Sequence, residues 1–150
     1  MKQKQLSPQN YVKTKARTLP ISECYINEDW EESGLANIFV FRRHTTGNIT
    51  FGSYLVDLYA LGTKDTYFNF NIPPKDIEGL LKRGNFKLTN YILVHNIIYG
   101  ANEYAEDNGF KIHKDFANYT QYILEKDDEL VSFVDIEFGK NGKPVVIKVL

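Results

Sequence analysis

Three carboxylates in this sequence could contribute to a divalent-metal site. Asp57 interrupts an apolar run, where a buried carboxylate is costly unless it is paired or bound to a metal ion. Asp135 and Glu137 alternate with apolar residues, which places both acids on one face of a predicted strand. Carboxylates on neighbouring strands hold the cations of metal-dependent nucleases. Simpler roles fit the same residues. Asp57 faces solvent, or it forms a hydrogen bond with a neighbouring turn or with Lys64. The alternation of acids and apolar residues around Asp135 and Glu137 is also typical of any half-exposed strand.

Two histidines extend the metal hypothesis. His95 shares one face of a predicted helix with Glu106, and His113 and Asp115 lie at the start of a second predicted helix. A histidine near a carboxylate can bind a metal ion or transfer a proton. The sequence lacks the histidine pair, four residues apart, of a zinc-binding helix. The alternatives are a hydrogen-bonded histidine on a polar helix face and a helix cap at His113 or Asp115.

These residues define one functional hypothesis, a divalent-metal-dependent hydrolase with a nuclease as the best-fitting class. Its cofactor would be Mg²⁺ or Mn²⁺, which carboxylate ligands suit. Its candidate catalytic residues are Asp57, His95 and His113. Its candidate metal ligands are Asp57, Asp135 and Glu137.

Basic residues define a second kind of candidate site. Residues 1–19 contain five cations and no acid, which predicts a basic arm outside the core at least up to Val12. Two arginines follow a predicted strand and precede a glycine turn. Such cations could contact the phosphates of a nucleic acid, and a solvated, flexible terminus is the alternative. The candidate anion-binding residues are Lys13, Lys15, Arg17, Arg42 and Arg43.

The elements that must position these residues follow from hydrophobic periodicity. Residues 36–42 are apolar on both faces, which predicts a strand in the centre of a sheet. Residues 90–108 repeat apolar side chains at helical spacing, which predicts a central helix. The dipeptide Asn141-Gly142 predicts a hairpin between strands at 130–138 and 144–150. Further strands are predicted at 21–26, 49–58 and 66–71, and further helices after residue 74 and at 115–124.

The fold class that follows is α+β, with a mainly antiparallel sheet of five to seven strands and about three helices. A chain of 150 residues is the size of one domain and can bury a core without a disulfide. The predicted division is a basic N-terminal arm at 1–19 and a single α+β domain at 20–150.

Composition excludes several classes of protein. The net charge of −1 excludes a uniformly basic nucleic-acid binder, and it conceals ten acids against three lysines in residues 100–137. The single cysteine, Cys24, cannot form an intramolecular disulfide and is expected to be a buried thiol. No apolar run approaches the ~20 residues of a membrane span, and the N-terminus does not read as a signal peptide. We therefore expect a cytoplasmic protein that does not contact membranes, and the sequence leaves its oligomeric state open.

Four stretches of the sequence carry a resemblance to other proteins. They read SPQNYVKTKARTLPISECYIN, GLANIFVFRRHTTGNITFGSYLVDLYALGTKDTYF, HNIIYGANEYAEDNGFKIHKDF and DIEFGKNGKP. From about Ser7 to Pro144, the chain resembles an uncharacterised family of bacterial conserved hypothetical proteins that is common in Bacteroidetes-like genomes. The resemblance implies a bacterial cytoplasmic protein and supplies no catalytic residues.

The favoured function is a non-catalytic binding or accessory module of a bacterial cytoplasmic system, which contacts a protein partner or nucleic acid. The 21 aromatic residues support it, because aromatic side chains are enriched in the cores of interfaces. The metal-dependent hydrolase is the alternative. The two differ in geometry: the hydrolase requires Asp57 to converge with Asp135 or Glu137, and the binding module predicts a contiguous exposed aromatic patch.

Overall fold

The computed structural model describes residues 6–129 and 132–146. It confirms the α+β class, with one five-stranded antiparallel sheet. The strands are β1 (Ile21–Asn27), β2 (Leu35–Arg43), β3 (Ile49–Asp57), β4 (Gly62–Ile72) and β5 (Phe86–Thr89). The helices are α1 (Pro8–Lys15), α2 (Trp30–Ser33), α3 (Pro74–Leu81), α4 (Tyr91–Asp107) and α5 (Lys114–Asn118). Short 3-10 turns lie at Ala16–Thr18, Thr120–Ile123 and Asp127–Glu129.

The sheet has a buried core on each face, as the two-sided apolar pattern of the central strand predicts. Its strand order is β4-β3-β2-β1-β5, so β2 lies in the middle. Ile38 and Val40 of β2 belong to a first core, which α4 covers. Phe39 and Phe41 point to the opposite face, where α3 contributes Ile77 to a second core. Because successive side chains of a strand alternate between faces, one strand supplies both cores.

Helix α4 packs closely against the start of β4. Asn90 caps the helix, since its side chain accepts a hydrogen bond from Leu93 N at 2.8 Å. Gly62 has a positive φ of 62°, and a Cβ there would lie 2.8 Å from Asn102 Oδ1. That oxygen accepts a hydrogen bond from Thr63 N at 2.8 Å. A glycine is therefore required at this contact, both for its backbone conformation and for the approach of α4.

Helix α1 packs against the core through Val12, which corrects the expectation of a basic arm that lies outside the core at least up to that residue. Ser7 caps α1, and Val12 is buried with 1% of its surface exposed. Ala16, one helical turn later, is fully buried in the same first core. The apolar pair at four-residue spacing anchors a helix whose other residues are mostly polar and exposed. The boundary at residue 19 between arm and domain stays a prediction.

The predicted C-terminal hairpin forms its turn but not its strands in the part that the structure describes. Residues 130, 131 and 147–150 of those predicted strands lie outside the described residues. Asn141 and Gly142 have φ values of 55° and 76°, and Lys140 bridges to Lys143. Beyond this turn, Val145 N donates to Tyr59 O at 3.0 Å. The backbone thus bonds to the turn after β3, and no strand is present at 132–138 or 144–146.

No helix within the described ranges is long and apolar enough to cross a membrane.

Candidate functional site

Arg42, at the end of β2, is buried with 1% of its side chain exposed, and its guanidinium bonds inside the protein. Nε donates to Ile123 O and Nη1 donates to Leu19 O, each at 2.6 Å. Nη2 donates to Glu125 Oε1 at 2.9 Å. Contrary to the prediction, this arginine is not available to an external anion, because alternation along β2 directs it into the first core.

Three of the other four predicted anion-binding residues also have partners within the chain. Arg17 donates to two backbone carbonyls, at 2.8 and 3.1 Å. Arg43 pairs with Glu23 at 3.1 Å. Lys13 Nζ lies 5.1 Å from the centre of a tyrosine ring. Lys15 is exposed. The structure therefore gives little support to a continuous basic surface made of these residues.

His95 lies in a buried polar network rather than on an exposed helix face. Glu125 N donates to Tyr91 Oη at 2.7 Å, so the tyrosine proton is directed to His95 Nδ1, also at 2.7 Å. His95 Nε2 then carries the ring proton and donates to Asp127 Oδ1 at 3.0 Å. The ring also packs against Tyr99, with 4.6 Å between centroids. This is the hydrogen-bonded histidine that the sequence allowed as an alternative.

Burial controls the protonation of this network. Desolvation lowers the pKa of His95, although the hydrogen bond to Asp127 opposes that effect. Burial also raises the pKa of Tyr91 well above its usual range and that of Tyr99 to about 12. The neutral forms of all three side chains are therefore favoured. A neutral histidine with both nitrogens bonded holds the 3-10 turn at Asp127 against α4.

His113 and Asp57 have local structural roles. His113 Nδ1 accepts a hydrogen bond from Asp115 N at 3.1 Å, which makes it the N-cap of α5. Asp57 ends β3, half-buried, and its Oδ1 accepts a hydrogen bond from Tyr59 N at 2.9 Å. Both contacts match alternatives that the sequence left open, a cap for His113 and a turn for Asp57.

The predicted metal ligands do not form a metal site in this structure. Asp135 and Glu137 are exposed on a segment that is not a strand, and Asp57 is committed to its turn. Throughout residues 6–129 and 132–146, no group of three or more His, Cys, Asp or Glu side chains could hold a metal ion. The nuclease alternative therefore receives no geometric support from Asp57, Asp135 and Glu137.

Asp135 and Glu137 do line a groove of about 620 Å³. The groove runs between α2, the turn after β3, the first half of α4 and the segment 134–141. Its apolar lining includes Trp30, Leu58 and Leu93. A hollow of this volume that combines apolar side chains with charged ones is a candidate binding site. We call this hollow the groove.

Tyr59 is held at the edge of the groove by several contacts. Its N–H bonds to Asp57, its carbonyl accepts from Val145 N, and its hydroxyl donates to Glu32 O at 3.4 Å. Its ring lies directly over Gly34, where a Cβ would overlap with it and where φ is 71°. These contacts fix the position of Tyr59 in the groove wall. Asp57 contributes to that position through its hydrogen bond with Tyr59 N.

The rim of the groove is acidic. Glu31, Asp135 and Glu137 contribute carboxylates, and Lys140 contributes the opposing charge. Glu32, next to Glu31, lines a second hollow with Glu28 and Asp29. None of these six carboxylates forms an ion pair with another described residue. This side of the protein therefore carries a concentrated negative charge that the described part of the chain leaves unpaired.

The sequence reasoning missed the residues that shape the groove. Trp30 and Tyr59 are far apart in the chain, and only the fold brings them together. The run Trp30-Glu31-Glu32-Ser33-Gly34 was the available signal, since it places the single tryptophan beside acids and ends at a helix-terminating glycine.

The sequence predicts a contiguous exposed aromatic patch, and two aromatic side chains are classed as exposed within the described residues. Tyr67 and Phe133, 43% and 84% exposed, lie on different elements.

No protein-family model, curated protein or solved structure matches the chain.

Proposed function

We propose that the protein is a non-catalytic binding module of a bacterial cytoplasmic system and that it binds a protein partner in the groove. The observation that carries the proposal is a groove of about 620 Å³ whose lining includes the half-buried apolar side chains Leu93, Val134 and Ile136. Apolar surface of this kind gains free energy when a partner removes it from water. The sequence resemblance supports the bacterial setting, and the single buried thiol of Cys24 suits a reducing compartment.

A protein partner fits the groove better than a nucleic acid does. The rim carboxylates repel phosphates, and nucleic-acid affinity depends on phosphate contacts by lysine and arginine. Of the predicted anion-binding residues, Arg42 is buried and Arg43 is paired with Glu23. The acidic rim of the groove and the internal bonding of these arginines therefore both favour a protein partner over a nucleic acid.

A binding role also fits the state of the titratable groups. His95 has 1% of its side chain exposed, and both ring nitrogens are bonded, so a substrate would have to displace Tyr91 or Asp127 to reach it. Asp57 and His113 stabilise a turn and a helix end. These groups are used for structure, so we assign the binding role to the groove rather than to them.

Affinity capture from the native host tests the proposal, with nuclease-treated and untreated lysates in parallel. The wild-type chain is compared with Val134→Arg, which blocks the groove, and with Val146→Arg, a matched control outside the groove lining. We expect a protein that survives nuclease treatment, is lost with Val134→Arg and is retained with Val146→Arg. Capture that depends on nucleic acid, or that is equal for both variants, would contradict the proposal.

A further inference from the structure

We propose that the partner segment held in the groove is basic: lysines or arginines contact the acidic rim, and an adjacent apolar side chain reaches the floor. This inference rests on the proposed function and names the chemistry of the partner. Such a segment needs acidic groups and apolar surface side by side in the groove. Three features of the groove provide them.

The first feature is the net negative charge of the rim, where three carboxylates stand against the one lysine, Lys140, in the described lining. Glu31 comes from α2, whereas Asp135 and Glu137 come from a segment more than one hundred residues later in the chain. The fold therefore brings like charges together from separate elements, and no described residue pairs with them. Field lines concentrate in a hollow with apolar walls, so a cationic partner is attracted and an anionic one is repelled.

The second feature is a cation of the chain itself at the same rim. Lys140 Nζ lies 5.9 Å from the centre of the Tyr59 ring, within the range of a cation–π contact. Tyr59 is fixed by Gly34 and by its backbone bonds, so its ring face is a preformed surface for an ammonium or guanidinium group. Lys140 shows that this edge of the groove accommodates a positive side chain.

The third feature is the apolar floor between the charges. Leu93 and Ile136 are half-buried, so each retains surface that a partner can cover. Lysine and arginine pack their methylene stems on apolar surface while the charged end stays at the rim. A segment that combines cations with an aliphatic residue therefore complements both the floor and the rim.

Amide-resolved NMR titration of the ¹⁵N-labelled chain tests this inference with three synthetic peptides of equal length. The first carries lysines around two leucines, the second replaces its lysines with glutamates, and the third replaces its leucines with serines. We expect the first peptide to shift the amides of Gly34, Tyr59 and Gly139, the second to leave them unchanged, and the third to bind more weakly.

Two double variants test the rim directly. Asp135→Asn with Glu137→Gln is expected to lower the affinity for the lysine–leucine peptide about tenfold at low salt, because two favourable charge pairs are lost. Glu106→Gln with Asp107→Asn removes two exposed carboxylates of α4 outside the groove lining and is expected to leave the affinity unchanged. Lys140→Gln is expected to strengthen binding two- to threefold, because it removes a competing cation.

The outcomes separate this inference from the proposed function. If the glutamate peptide binds the groove and the lysine peptide does not, the basic partner is wrong and the binding module stands. Equal affinity for the rim variant and its control would also overturn the inference. Groove shifts that depend on protein concentration without peptide would identify a second copy as the occupant. If no peptide shifts the groove, the basic partner is wrong, and the capture experiment with Val134→Arg decides the proposed function alone.

Discussion

Two polar regions of this protein are opposites in how their hydrogen-bonding and charged groups are used. We call the cluster of Arg42, Glu125, Tyr91 and His95 the internal network; Arg42 and His95 are buried, and Tyr91 and Glu125 are partly buried. Each nitrogen of the Arg42 guanidinium donates to an acceptor, and both nitrogens of His95 are bonded. The carboxylates of the groove rim have no ion-pair partner among the described residues.

The difference separates groups that stabilise the fold from groups that are available for binding. A buried charge is tolerated only when its donors or acceptors are satisfied, so removal of one partner from the internal network exposes the others to a desolvation cost. An exposed carboxylate is already hydrated, and its removal costs the fold little. The comparison predicts that stability depends on the internal network and that affinity depends on the groove.

Arg42→Met is expected to give the largest loss of stability, about 3–5 kcal/mol, because it breaks a buried charged network from one side. The substitution leaves Ile123 O and Leu19 O, which Arg42 bonds at 2.6 Å, without their donors. Urea unfolding followed by circular dichroism measures the change. Arg43→Met is the matched control, since Arg43 is half-buried and pairs with Glu23 near the surface, and it should cost less than about 1 kcal/mol. Equal losses for the two variants would remove the distinction between the regions.

Tyr91→Phe is expected to cost about 2–3 kcal/mol, because one hydroxyl satisfies two buried groups. It accepts from Glu125 N and donates to His95 Nδ1, both at 2.7 Å. Tyr122→Phe is the control, since Arg17 lies over the Tyr122 ring and no hydrogen bond joins the Tyr122 hydroxyl to a described residue. The same unfolding assay should show a change below about 0.5 kcal/mol for the control. A Tyr91→Phe variant as stable as the control would mean that the network does not hold α4 in place.

The stability of the protein is expected to fall as pH decreases through about 6.5, the ordinary pKa of histidine. Burial lowers the pKa of His95 in the folded state, so the unfolded chain takes up a proton first and is favoured as acid is added. Unfolding midpoints between about pH 7.5 and pH 5 measure the slope. His95→Gln should be less stable at high pH and should show a flatter dependence. Because burial also lowers the pKa of His44, a residual slope that His44→Gln removes is expected. An unchanged slope in His95→Gln would contradict the neutral assignment of its ring.

Much of the fold follows from the sequence because the decisive patterns are local. The two-sided apolar run of β2 and the helical spacing of α4 each carry their own periodicity, and the structure contains both. The C-terminal hairpin was predicted from Asn141-Gly142, which does set the turn. The segment after this turn does not pair with residues 132–138. It bonds instead to the turn after β3, through Tyr59 O, which is more than eighty residues earlier in the chain. A long-range hydrogen bond of this kind has no local signature.

The candidate site could be predicted only in part, for the same reason. Asp135 and Glu137, which the sequence singles out by type and spacing, do line the groove, but the chemistry assigned to them required Asp57 to converge with them. Asp57 instead bonds to Tyr59 N, two residues later. Arg42 shows the opposite error: a charged residue after a strand was taken as exposed, and its bonds to Leu19 and Ile123 arise from segments on either side of it in sequence.

Neutralising the groove rim is expected to have the smallest effect on stability and so gives the sharpest contrast with the internal network. Asp135→Asn with Glu137→Gln should change the free energy of unfolding by no more than about 0.5 kcal/mol, because both side chains are exposed and unpaired with any described residue. At low salt the double variant should be slightly more stable than the wild type, because repulsion with Glu31 is relieved. Added salt should abolish this gain in stability. Urea unfolding at low and high salt checks both points. A loss comparable to that of Tyr91→Phe would mean that these carboxylates hold the fold together, and the division between a structural network and an open binding rim would then fail.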